Sequence, residues 1–158
     1  MPSFGYQSRV ARSTCHPLLQ QTADAAIEYW NFSLLYGWRG REVQEAFFDQ
    51  GVSKVRWPNS KHNHLSTKDD VDAGWTEELN IPLSLAFDFA PWHSIGKHIR
   101  WDVEEEFYYF SGFIQGVAGR ILSGTSYAFR YGGDWDGDQD LRDQTFMDLG
   151  HIELVSVY

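Results

Sequence analysis

The sequence predicts an α+β fold, with helices packed against a small, mainly antiparallel sheet. Three observations predict it. The hydrophobic pattern runs helix, strand, helix, loop, strand, helix, strand, strand, which is not the regular alternation of a parallel α/β chain. The length, 158 residues, suits one ordinary domain with a real core and is too short for two comfortable ones. Hydrophobic residues make up 42% and charged residues 22%, the balance of a globular chain rather than a disordered one.

The elements follow in order. Pro17 suits the first position of a helix, and Leu18, Ala25, Ala26 and Tyr29 continue it at helical spacing over about residues 17–30. Residues 32–36 (FSLLY) read as a short strand ended by Gly37. Val43, Ala46 and Phe47 share one face of a helix over about 41–50, and Gly51 stops it. No clear period survives from 51 to 82. Within that stretch residues 66–79 (STKDDVDAGWTEEL) are polar and acidic, an inserted surface excursion with a helical turn. Residues 83–89 form a buried strand candidate.

The clearest helix carries Val103, Phe107, Phe110, Ile114, Val117 and Ile121 on one stripe. Asp102 and Glu105 resemble a capping box at its start, and Gly112, Gly116 and Gly119 would let a neighbour approach closely. Residues 127–131 and 151–157 complete the set as strands. There is no internal repeat and no low-complexity segment.

Composition removes several classes of function. A net charge of −9 disfavours a general nucleic-acid binder and unaided adhesion to an anionic membrane. Cys15 is the only cysteine, which excludes an internal disulfide and a cysteine-based zinc site. The first residues lack the apolar core of a secretory signal peptide, and no apolar run approaches the ~18 residues of a membrane span. Synthesis in a cytoplasm as a soluble, monomeric chain is the expectation.

Three separate segments carry metal-type ligands. They are Ser60-Lys61-His62, the run Ala86-Phe87-Asp88-Phe89-Ala90-Pro91, and Asp148-Leu149-Gly150-His151-Ile152-Glu153-Leu154. Catalytic zinc typically takes three protein ligands and keeps an open position for water. Two imidazoles, His62 and His151, and one carboxylate, Asp88, meet that requirement. Asp88 lies between two phenylalanines in an apolar strand, where an unpaired charge is costly, so a metal or an arginine partner is expected.

Asp148 stands three residues before His151, within reach of an activated water; a turn aspartate capping its own backbone is the common alternative. Glu153 shares the strand face of His151, as a second candidate base or as a partner orienting an imidazole. His64 shares the parity of His62 and competes with it. Arg39 could stabilise an oxyanion or form a surface ion pair, and sequence does not choose. Aromatic residues make up 16%. Most are packing residues; Trp92 and Trp135, with Gln44 and Ser60, are candidate substrate contacts. The acidic loop 134–143 suggests Ca2+ but lacks the EF-hand spacing, and a solvated loop accounts for it as well.

With these residues in view the chain resembles the zinc D-Ala-D-Ala carboxypeptidase and L-alanyl-D-glutamate endopeptidase family, specifically its single-domain bacteriophage endolysins. The ordered match includes Cys15-His16-Pro17-Leu18, Gly37-Trp38-Arg39 with Gln44, and Gly51-Val52-Ser53-Lys54. It continues through Ser60-Lys61-His62-Asn63, Ser84-Leu85-Ala86-Phe87-Asp88, Gly132-Gly133-Asp134-Trp135 and the segment 148–154.

The resemblance implies one Zn2+ on His62, Asp88 and His151, with Asp148 as base and Arg39 assisting substrate or transition state. It implies the compact fold shared with the Hedgehog signalling domain and the vancomycin-resistance dipeptidases. One departure is the stretch from 64 to 83 between two ligands that the family holds close in sequence, with the usual glycine missing. It must loop out, and it could cover the cleft as a lid.

The resulting expectation is a single zinc peptidase domain, residues 1–158, with no separate cell-wall-binding domain. It would be a phage lysis enzyme hydrolysing peptidoglycan stem peptides at L-Ala–D-Glu, with the D-Ala–D-Ala bond as runner-up. It would reach periplasmic peptidoglycan after holin-type release; by analogy, the lack of a wall anchor suits a Gram-negative host. A non-catalytic zinc-binding structural module and a phage tail component are the readings from other classes.

Overall fold

A computed structural model describes all residues, Met1–Tyr158. Helices α1 (Tyr6–Ser13), α2 (Pro17–Ile27), α3 (Arg41–Asp49), α4 (Lys68–Asp72) and α5 (Glu104–Leu122) accompany four strands. These are β1 (Phe32–Tyr36), β2 (Ala86–Pro91), β3 (Tyr127–Tyr131) and β4 (His151–Ser156). They form one antiparallel sheet in the order β1-β2-β4-β3.

Strand alternation divides the sheet into two chemically different faces. Phe87 and Phe89 of β2 and Ile152 and Leu154 of β4 are fully buried, and they join Leu19 of α2 and Phe110 and Ile114 of α5 in the core. The intervening residues point the other way. Directly opposed residues of an antiparallel pair share a face. The register Asp88↔His151, Ala86↔Glu153 and Arg130↔Glu153 therefore gathers four polar side chains on the face away from the core.

Helix α1 has no counterpart in the sequence reading, because it lacks an apolar stripe. Tyr6 and Val10 are exposed and its one buried residue is Ser8. The Ser8 hydroxyl donates to the Leu34 carbonyl and accepts from the Leu34 N–H, each at 3.1 Å. A polar side chain thus satisfies the backbone of edge strand β1, which would otherwise be open to pairing.

Other boundaries moved for equally local reasons. Helix α2 begins at Pro17 with His16 as its N-cap and stops at Ile27, short of residue 30. Strand β2 starts three residues later than expected and runs on to Pro91. Before it, Ser84 pairs its backbone with Thr14 and His16. Helix α5 has no capping box: Val103 is its N-cap, and three glutamates, Glu104–Glu106, complement the positive end of the helix instead. Its glycines Gly112, Gly116 and Gly119 face open space, not a close neighbour.

The inserted segment is an ordered lobe with a closed neck. Leu65 bridges Pro82, and Leu83 donates its N–H to the His64 carbonyl. The start and end of the insertion are thereby side by side, so the intervening residues leave the two flanking segments free to converge on the site. Inside the lobe, Thr67 and Asp70 form a capping box on α4. Trp75 packs 4.7 Å from the buried His16 ring, which also contacts Tyr127 at 5.1 Å. The lobe therefore covers the start of α2, and none of its residues lines the main cleft. The lid alternative is not realised.

Candidate metal centre and cleft

The polar face of the sheet floors a cleft of about 520 Å³. At its base His62 Nε2, His151 Nδ1 and Asp88 Oδ1 lie 3.0, 3.1 and 3.2 Å apart. These separations are close to the roughly 3.3 Å edge of a tetrahedron whose metal–ligand bonds are about 2.0–2.1 Å.

Each imidazole is oriented by its other nitrogen. His62 Nδ1 is 2.6 Å from the Gly37 carbonyl, which only accepts, so Nδ1 carries the proton and Nε2 the lone pair. His151 Nε2 donates to Glu153 Oε2 at 2.9 Å, and its Nδ1 faces Asp88 Oδ1. Glu153 is in turn held by Arg130, whose Nε donates at 2.9 Å. Three potential ligand atoms thus face one another, an arrangement that a cation between them would satisfy. Carboxylate or carbonyl partners behind metal-binding imidazoles are a common feature of such centres. The donor set fits a divalent ion such as zinc, and the group could hold one.

The protonation behaviour leads to the same conclusion. Burial pushes the Asp88 carboxyl up, but the facing imidazoles outweigh it and hold it well below the usual carboxylate range. Burial lowers the His62 imidazole. Burial also lowers His151, and the Asp88 and Glu153 carboxylates overcome it and raise the ring to about 9. The pocket attracts positive charge.

Local structure explains how the sequence places these groups. His62 sits in a 3-10 turn, Lys61–Asn63, capped by Ser60, whose hydroxyl accepts from the His62 N–H. Asn63 donates to the Arg39 carbonyl at 2.9 Å, and the Arg39 N–H donates to the His62 carbonyl at 2.9 Å. The turn is therefore stitched to the end of β1. Gly37 must be glycine there: a Cβ would collide with the Ala11 carbonyl and Thr14 Oγ1 and come within 2.8 Å of Cys15 Sγ. Asp148 is fixed through its backbone, its N–H donating to the Gly132 carbonyl at 2.8 Å. Its side chain has no hydrogen-bond partner and opens onto the cleft. Burial, then the nearby Asp88 charge, pushes its carboxyl up to about 6.

The remaining candidates separate clearly. Arg39 is 6% exposed, lines the cleft and pairs with Asp88 Oδ2 at 3.3 Å, so Asp88 has its arginine as well as its two imidazoles. Ser60 and Trp135 line the cleft, and Trp135 packs 5.4 Å from His151. Gln44 is fully buried. It donates to Ser53 Oγ and the Val55 carbonyl and accepts from Asn63, which makes it a support for the cleft walls. Trp92 is not in the cleft: it lies past the β1–β2 pairing, beside Trp30 and Glu106 in a separate hollow. His64 turns away from the centre to Asp70 at 2.9 Å.

Asp134, Asp136 and Asp138 could each offer one oxygen to a common cation, but Asp134 and Asp138 already accept backbone N–H groups of their own loop. Sequence reasoning missed Arg130 and the cleft residues Lys54, Lys61 and Phe146. Arg130 was findable from the alternation of β3; the others come from loops without a period.

The comparisons with known proteins follow this geometry. The model of the phage L-alanyl-D-glutamate peptidase family matches residues 2–155. Among solved structures, the chain is similar to the L-Ala D-Glu endopeptidase ChiX of Serratia marcescens. The identity is 17% and the TM-score 0.61, over 98% of this chain and 91% of that one, a likeness of fold. No curated protein matches the chain. Family match over nearly the whole length, the shared α+β fold and the His–Asp–His centre lead to one conclusion: the chain belongs to the phage L-alanyl-D-glutamate peptidase family.

Proposed function

We propose that this protein is a zinc-dependent endopeptidase that hydrolyses the L-Ala–D-Glu bond of peptidoglycan stem peptides during host lysis, as a monomer released to the periplasmic wall through a holin-type lesion. The observation that carries this reading is the His62–Asp88–His151 centre at the base of a cleft, with an unpartnered carboxylate, Asp148, opening beside it. When bound, zinc supplies Lewis acidity at the scissile carbonyl and activates water at neutral pH.

The chain's own groups do the rest. Asp148 takes a proton from the attacking water and returns it to the alanyl–glutamyl nitrogen as the C–N bond breaks, while the water oxygen joins the alanine carbonyl carbon. A carboxyl raised to about 6 is well matched to both transfers. Arg39 keeps Asp88 aligned and places positive charge where the oxyanion develops. Glu153 holds the His151 tautomer and is not free to serve as base. Ser60 and Trp135 are the remaining contacts available to substrate along the walls.

Digestion of defined peptidoglycan followed by mass spectrometry tests the proposal. New N-terminal D-Glu, abolished by chelator and restored by zinc, is expected. Release of free D-Ala alone, or the same products in chelator, would overturn it.

A further inference from the structure

The chain carries a net charge of −9, yet its cleft is lined by four cations: Arg39, Lys54, Lys61 and Arg130. Two of them are already engaged, Arg39 with Asp88 and Arg130 with Glu153. The three acidic groups of the cleft are likewise accounted for: Asp88 and Glu153 belong to the metal centre and Asp148 stands beside it. Lys54 and Lys61 form no ion pair with any of them. Two lysines without an ion-pair partner therefore line the cleft of an acidic protein.

Their placement is specific. Lys61 immediately precedes the ligand His62 in the 3-10 turn. Lys54 Nζ lies 5.1 Å over the Phe146 ring, Phe146 stacks on Trp135, and Trp135 packs against His151. The cation–π contact with Phe146, itself a cleft residue, keeps the Lys54 charge at the cleft.

We propose that Lys54 and Lys61 bind the free glutamate carboxylate on the leaving side of the scissile bond, which makes the enzyme selective for un-amidated, acidic stem peptides. The inference rests on the peptidase function proposed above. Cleavage between alanine and glutamate leaves a fragment that carries both glutamate carboxyl groups. One continues the stem, and the other is an anion only a few bonds from the departing nitrogen. A carboxylate entering this cleft meets two unpaired ammonium groups; a primary amide at the same place gains no charge-assisted bond. The cleft then discriminates by charge, and a site built to bind an ion rejects the analogue that lacks it.

Two synthetic peptides test this: identical stem peptides in which the glutamate's free carboxyl is either intact or converted to a primary amide. The wild type is expected to favour the free acid by about ten-fold or more in kcat/KM. In a Lys54→Met/Lys61→Met variant that ratio should fall towards one, with the loss carried by KM for the free acid and zinc content retained. Lys54→Arg/Lys61→Arg, which keeps both charges, should restore the preference. Equal cleavage of the two peptides by the wild type, or an undiminished preference in the double Met variant, would overturn the inference alone. Failure of the zinc-loaded wild type to cut either peptide would overturn the peptidase reading, and this inference with it.

Discussion

At the scale of single residues, position and partner decide the role of each carboxylate. Asp88, Asp148 and Glu153 share one cleft, yet only Asp148 lacks a cation or hydrogen-bond donor of its own. That difference separates the proposed roles: ligand for Asp88, tautomer-fixing partner for Glu153, and proton carrier for Asp148. Asp148→Asn keeps the shape and removes the proposed base, so zinc content should persist while kcat falls by about 10²–10⁴-fold. The pH dependence follows from the same group. Its carboxyl titrates at about 6 instead of its ordinary value, and the ionised form is the base. Activity should therefore be lost as pH falls through about 6, and the acid limb should vanish from the residual rate of Asp148→Asn. Full turnover in the variant, or an acid limb that survives in it unchanged, would remove Asp148 from this role.

At the scale of elements, the site depends on contacts that join turns to strands. His62 is aimed by a carbonyl of Gly37, and Gly37 reaches that position only because no Cβ intervenes between it and the end of α1. Gly37→Ala should displace the carbonyl and loosen the imidazole. Loss of such a partner typically weakens metal binding by about 10–100-fold, measurable by competition with a chromogenic chelator; unaltered affinity would show that His62 needs no such support. The same elements show what the sequence could and could not reveal. Phe107, Phe110 and Ile114 marked α5 through their period, and the apolar flanks of Asp88 marked β2, because burial imposes those patterns. Helix α1 left no pattern, since it docks through one hydroxyl, on Ser8. Gln44 was legible as important but not as buried, for its partners Ser53, Val55 and Asn63 lie in aperiodic loops. Trp92 looked like any cleft aromatic, and only its place past the end of the β1–β2 pairing removes it. Lys54 and Lys61 came together as cleft residues only in the fold, because both lie in aperiodic segments.

At the scale of the whole molecule, the metal centre ties together parts of the chain that are far apart in sequence. His62 comes from a turn, Asp88 from β2 and His151 from β4, on segments separated by the inserted lobe and by all of α5 and β3. The three donors are already mutually close, so an ion bound there, as proposed, would find its site in the folded chain and not in the unfolded one. Binding must then stabilise the fold by linkage, by about 4 kcal/mol when free zinc exceeds Kd a thousand-fold. For a domain of this size each kcal/mol shifts Tm by about 2–4 °C. Stripping the metal should therefore lower Tm by about 8–16 °C, reversibly on adding zinc back. The control is Asp88→Asn, which keeps the strand but removes the charged ligand. Its Tm should respond to chelator by a small fraction of the wild-type shift. A wild type whose melting ignores both chelator and zinc, or an Asp88→Asn variant that responds as the wild type does, would mean that these three side chains do not share an ion.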